Sequence, residues 1–144
     1  MRHISNNKKL PEPGSKSFFL SVKTFDSVTE YIARQCTAAG CDETTVGQIT
    51  IAASEILANI DLYAYENGGE VEVLTKCRGR RMTIVFKDNG KPFNPLSVKE
   101  PDVTLPLNNR KPGGLGIFIV KKLMSEISYA YENNQNVLTV EKDF

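Results

Sequence analysis

Long apolar runs are missing from this sequence: no stretch approaches the roughly 20 apolar residues that a membrane-spanning helix needs, and Met1 to Leu10 is polar, without the apolar segment of a secretion signal. A soluble, unsecreted, cytoplasmic protein is expected. An excess of either charge is missing too. Eighteen basic against seventeen acidic side chains leave a net charge of +1, too weak a field to make nucleic acid or an anionic membrane the main partner. Cysteine is sparse: Cys36, Cys41 and Cys77 form neither an even disulfide framework nor a C-x-x-C metal pair, and read as reduced structural thiols. The single histidine, His3, has no second ligand type beside it, which argues against a metal role. No internal repeat or low-complexity tract is visible. What is present is a chain of 144 residues, enough for one domain with one substantial core, and therefore for one site.

Residues 1–15 are expected to form a flexible tail and 16–144 a single domain, because Met1 to Gly14 mixes Asn, Lys, Pro and Gly without periodicity. Phe18, Leu20 and Val22 alternate along Ser17 to Val22, the period of a half-buried strand. Val28, Ile32, Cys36 and Ala39 recur at helical spacing between Asp26 and Ala39, and Gly40 ends that run. Asp42 caps a second, longer helix reaching to about Tyr65, before Asn67-Gly68-Gly69 breaks it. Glu70 to Cys77 and Arg81 to Lys87 alternate like two antiparallel strands around Arg78-Gly79-Arg80. From Asp88 to Gly116 the pattern vanishes, which in a compact domain marks a functional or a disordered segment. Helical spacing returns at Ile117, Val120, Lys121 and Met124, and strands follow at Glu126 to Glu132 and Asn136 to Glu141. This order suggests one layer of helices over a mainly antiparallel sheet.

Three clusters are chemically suggestive. Gln48, Ala52, Glu55, Asn59 and Tyr63 share one face of the second helix, while Ile49, Ala53, Ile56, Leu57, Ile60 and Ala64 form the face that packs on the sheet. Glu55 and Asn59, one turn apart, would supply a base for an attacking hydroxyl and an oxygen for Mg²⁺; a plain solvated stripe is the alternative. Asp88-Asn89-Gly90 ends a strand, and is either an ordinary turn or a buried carboxylate that accepts from an adenine amino group, with Gly90 admitting the base. Arg110-Lys111-Pro112-Gly113-Gly114-Leu115-Gly116 precedes an apolar helix, and is either a glycine hinge or a loop whose N–H groups and helix dipole hold a triphosphate, with Arg110 and Lys111 closing on it. It matches neither the P-loop nor the Rossmann fingerprint.

In this order and spacing, the clusters strongly resemble the N box and the two glycine boxes of the GHKL superfamily of gyrase, heat-shock chaperone, histidine kinase and mismatch-repair ATPases. The runs Glu55-Ile56-Leu57-Ala58-Asn59-Ile60-Asp61-Leu62-Tyr63-Ala64-Tyr65 and Gly113-Gly114-Leu115-Gly116-Ile117-Phe118-Ile119-Val120-Lys121-Lys122-Leu123-Met124 are similar to those of its anti-sigma-factor serine kinase branch. The resemblance spans Ser17 to Lys142 and implies an α+β, two-layer Bergerat sandwich: a mainly antiparallel mixed sheet covered on one face by three helices, with ATP between helices and a mobile lid. It implies Glu55 as the residue that activates the nucleophile, Asn59 as the Mg²⁺ ligand, and Asp88 with Gly90 as the adenine pocket. Gly114, Leu115 and Gly116 would contact phosphate, and Arg110 would be the lid arginine.

Two positions depart from the pattern: Tyr63 stands where histidine is common, and Asn134-Gln135-Asn136-Val137 lacks the usual Gly-Thr of the last box, leaving the far wall of the pocket unassigned. The function implied is that of an ATP- and Mg²⁺-dependent serine kinase that sequesters a sigma factor and phosphorylates a STAS-type antagonist, with homodimers frequent among relatives. A noncatalytic ATP-gated interaction module, with Lys91 to Pro112 as its lid, is the competing implication.

Overall fold

A computed structural model describes residues 14–97 and 115–144. Strand β1 (Ser15–Leu20) leads through a 3-10 turn to helix α1 (Phe25–Ala38) and helix α2 (Glu43–Asn59), which passes directly into a π-helical turn, Ile60–Ala64. A hairpin of β2 (Gly69–Arg78) and β3 (Arg81–Asp88) follows, then a 3-10 turn at Pro95–Ser97, helix α3 (Leu115–Leu123), and a second hairpin of β4 (Glu126–Glu132) and β5 (Gln135–Asp143). The five strands lie in the order β1-β2-β3-β5-β4 and every neighbouring pair is antiparallel. The expected α+β sandwich is therefore present, with a sheet that is antiparallel throughout among the described residues rather than mixed.

Local chemistry explains the element boundaries. Gly40, at φ +100°, closes α1 with a Schellman pair: its N–H donates to Thr37 O at 3.0 Å and the Cys41 N–H donates to Cys36 O at 3.0 Å. Asp42 caps α2 by accepting from the Thr45 N–H at 2.8 Å. Asn133 and Asn134, at φ 53° and 60°, make the two-residue turn that joins β4 to β5, a conformation asparagine tolerates better than most residues. The strand β1 stops at Leu20, two residues before the pattern suggested. Thr24 Oγ1 donates to Phe19 O at 2.8 Å and accepts from the Ser21 N–H at 3.0 Å, which folds the chain off the sheet and leaves Val22 73% exposed.

Alternate residues of the central strands face the helices: Val71 and Val73, then Met82, Ile84, Phe86 and Asp88, then Asn136, Leu138 and Val140 are all buried. Against them lie Val28, Ile32 and Cys36 of α1 and all six residues assigned to the inner face of α2 and its continuation. Helix α2 packs on both α1 and α3. Two polar side chains, Asp88 and Asn136, thus stand in an otherwise apolar layer. The expected tail falls mostly outside the described residues, but Gly14, in the turn before β1, is already tied to β2, accepting from the Thr75 N–H at 2.9 Å. No described helix is long and apolar enough to cross a membrane.

Candidate functional site

Where the π-turn ends, a cleft of about 330 Å³, part of it open to solvent, lies between the end of α2 and the sheet. Ile56 and Asn59 of α2 form one wall, with Ile60 and Ala64 continuing it. Asp88 at the end of β3, Tyr129 on β4, and Asn136 and Leu138 on β5 form the other, and Phe93 and Pro95 close the mouth. Asn59 and Asp88, far apart in the chain, therefore meet in one cavity.

Asp88 is 3% exposed, and the hydrogen bonds it receives from described residues both fall on Oδ1: from Asn136 Nδ2 at 2.8 Å and from the Gly90 N–H at 2.9 Å. Burial pushes its pKa above the ordinary carboxylate value, and the two hydrogen bonds oppose that shift. Oδ2 takes no partner among the described residues, and Asp88 lines the cleft. Gly90 is held by shape. A Cβ there would lie 2.4 Å from Ala64 O and 2.6 Å from Ala64 Cβ, so the side of Gly90 that lacks a side chain faces the π-turn.

Asn136 is the principal residue that motif reading missed. Its Nδ2 donates to Asp88 and, at 2.9 Å, to Lys91 O; its Oδ1 accepts from the Phe93 N–H at 3.0 Å and from the Tyr129 hydroxyl. A signal was available, since Asn136 is in phase with the inward-facing Leu138 and Val140. Phe93 also stacks on Tyr63, with centroids 4.7 Å apart and planes 25° from parallel.

Glu55 lies one turn back from Asn59, half-buried, against the start of α3. A Cβ on Gly116 would come within 2.8 Å of Glu55 Oε2. The solvated-stripe reading of this helix face is thereby corrected: Ala52, on the same face, is fully buried and α3 covers that side. Leu115 opens α3 and is 37% exposed. Arg110 and Gly114, and most of the expected lid, lie outside the described residues. Along the wall of α2 the order is thus a carboxylate facing a glycine at a helix start, then a carboxamide, then a cleft ending at a buried acceptor. Among the described residues no cluster of three or more His, Cys, Asp or Glu side chains could cage a metal. A hard cation here would need oxygens from a ligand beside the Asn59 carboxamide.

A profile of the histidine kinase-like ATPase domain matches residues 21–142. The chain is similar to the serine-protein kinase RsbW of Bacillus mycoides, 31% identical over 93 residues that make up 61% of this chain and 58% of that protein. It is also similar to the serine/threonine-protein kinase BtrW of Bordetella bronchiseptica, 27% identical over 94 residues, covering 64% of this chain and 66% of that one. The matched segments thus span less than two thirds of these relatives. A crystal structure of the RsbU and RsbW domains of Rv1364c from Mycobacterium tuberculosis superposes with a TM-score of 0.61 at 15% identity, over 90% of this chain and 32% of that one, a likeness of fold alone.

Proposed function

We propose, from the premise that this chain belongs to the histidine kinase-like ATPase domain family, that it binds ATP with Mg²⁺ along the α2 wall and transfers the terminal phosphoryl group to a serine of a partner protein. The relatives named as serine-protein kinases support that chemistry, and by the resemblance of its boxes to the anti-sigma-factor kinases the partner is a STAS-type antagonist, with a sigma factor as the second, alternative partner. One observation carries the reading: Asp88 and Asn59 line one cleft, with Glu55 a turn beyond against Gly116.

The assignment follows the chemistry of each group. Asp88 Oδ2 accepts from the adenine amino group, Gly90 lets the π-turn pack closely behind it, and the apolar faces of Ile56 and Leu138 flank the base. Asn59 offers the carboxamide oxygen that holds Mg²⁺, an ion that commonly takes few protein ligands and completes its shell with phosphate oxygens and water. When bound, Mg²⁺ neutralises charge on the phosphate oxygens. Gly116 keeps its place at the start of α3 clear of a side chain, Leu115 beside it is assigned to the phosphates by the motif, and the helix dipole there favours phosphate. Gly114 and Arg110 are assigned to the phosphates by the motif alone. Glu55 accepts the proton of the attacking serine hydroxyl as its oxygen bonds to the γ-phosphorus and the bond from that phosphorus to the bridging oxygen breaks, releasing ADP.

The test is transfer of label from γ-labelled ATP, with Mg²⁺, to candidate STAS proteins. Label should appear on a partner serine and be lost in Glu55→Ala, while that variant keeps ATP affinity within about threefold, because the carboxylate acts on the nucleophile and not on the base. ATP binding without transfer to any candidate would instead favour a noncatalytic, nucleotide-gated module. An absence of any binding would remove both.

A further inference from the structure

A carboxamide has two hydrogens to give and one oxygen with two lone pairs, and Asn136 uses all of them while only 4% exposed. Two of its partners fix which way round the amide sits. Lys91 O can only accept and the Phe93 N–H can only donate, so turning the amide over would set oxygen against oxygen and N–H against N–H. The group that Asn136 presents to Asp88 is therefore always a donor. The Gly90 N–H donates to the same oxygen, and Oδ1 is thereby filled.

We infer that Asn136 determines which purine the cleft accepts: by supplying a fixed donor to Oδ1 of Asp88 it keeps Oδ2 an acceptor, and so selects a 6-amino base over a 6-keto base. This rests on the reading that Asp88 meets the base of ATP. Asn136 never touches the base in this scheme; it acts through Asp88 as a positioning residue.

Without the donor, Asp88 would be a buried carboxyl with one hydrogen bond left, and burial already favours its protonated form. A protonated Asp88 presents O–H to the cleft, which suits a keto oxygen. Among the described residues, Tyr65, beyond the π-turn, and Tyr129 on β4 sense Asp88, and burial raises both phenols so that they stay neutral around it.

Two nearly isosteric variants separate this role from packing. Both Asn136→Thr and Asn136→Val desert Lys91 O and the Phe93 N–H, so both should lose thermal stability; only threonine keeps a hydroxyl for Asp88. Calorimetry with the Mg²⁺ complexes of ATP and ITP then reads base preference. Wild type and Asn136→Thr should prefer ATP by about tenfold or more, the worth of a hydrogen bond to a charged acceptor. In Asn136→Val the two affinities should converge, and that for ATP should recover as pH is raised from 7 to 9, where the wild-type value is flat. Equal ratios in the two variants, or a wild type indifferent to ATP and ITP, would overturn the inference alone; a wild type that binds neither overturns the nucleotide reading with it. Should Asn136→Val not fold, Asn136→Asp replaces it. There a proton shared with Asp88 stands in for the amide donor, so ATP affinity should fall between pH 6 and 9, and a flat profile would refute the role.

Discussion

Replacing Asp88 with asparagine should strengthen the fold and ruin the site. The substituted carboxamide would keep an oxygen where Oδ1 stands, accepting as before from Asn136 and from the Gly90 N–H, while its amide nitrogen would replace Oδ2 and point a donor into the cleft. For ATP this removes one charge-assisted hydrogen bond, about 1.5–3 kcal/mol, and leaves facing donors unsatisfied at about 1–3 kcal/mol. Affinity should fall roughly 10²- to 10⁴-fold, and ITP should bind at least as well as ATP. Stability should move the other way, with a defined pH dependence. Burial raises the folded-state pKa of Asp88, so its ionised form costs stability. That cost is absent below the unfolded pKa near about 4, grows as pH rises through the folded value, and persists at neutrality. Thermal unfolding of Asp88→Asn should therefore match wild type at about pH 4 and occur at higher temperature than wild type at pH 7. A variant that melts below wild type at pH 7, or that binds ATP within about threefold of it, would refute the reasoning.

Gly116→Ala should leave stability within about 1 kcal/mol, because alanine suits a helix and the atom it meets is the movable end of Glu55, yet it should slow phosphoryl transfer at least about tenfold by displacing that carboxylate. Gly90→Ala meets backbone instead, at 2.4 Å from Ala64 O, and should cost about 2–3 kcal/mol in denaturant unfolding. Cys36, whose pKa burial and the neighbouring Cys41 push up to about 12, should resist alkylation in the native state. Since the unfolded thiol ionises near about 9 while the folded one does not, Cys36 should also contribute a loss of stability between about pH 9 and 12 that Cys36→Ala abolishes. A native Cys36 that reacts as fast as the half-buried Cys77 would contradict this.

Features encoded over a few residues were legible in the sequence: the two faces of α2, the Gly40 stop, the Asp42 cap and the β2–β3 hairpin each depend on neighbours within a turn or a tight loop. Asn59 and Asp88 were legible as candidates because each sits in a compact box, although nothing local says that they meet. Asn136 was not legible as a site residue. An inward asparagine on a strand is costly until partnered, and its partner Asp88 lies 48 residues earlier, opposite it only through the pairing of β3 with β5. Chain pattern specifies which side of a strand a residue occupies. It does not specify which residue arrives across from it.

The same limit explains the π-turn. Ile60-Asp61-Leu62-Tyr63-Ala64 reads as ordinary helix, and a continuing α-helix would carry Tyr63 along the stripe of Glu55 and Asn59. The wider turn instead releases the Ala64 carbonyl, which accepts from the Lys91 N–H at 3.0 Å, and the chain then leaves in extended conformation at Tyr65. The Tyr65 hydroxyl completes the joint, donating to Glu70 O at 2.6 Å and accepting from the Asn89 N–H at 2.8 Å. A helix end whose carbonyls find tertiary donors needs no helical continuation to satisfy them. The π-turn is thus selected by the turn at Asp88-Asn89-Gly90 on which it docks, and this docking, more than any property of the base, explains why residue 90 has no side chain: the contact that excludes a Cβ is with Ala64. Helix α2 and the acceptor at the end of β3 are consequently one joined unit, so the spacing between Asn59 and Asp88 is set by packing before any ligand arrives.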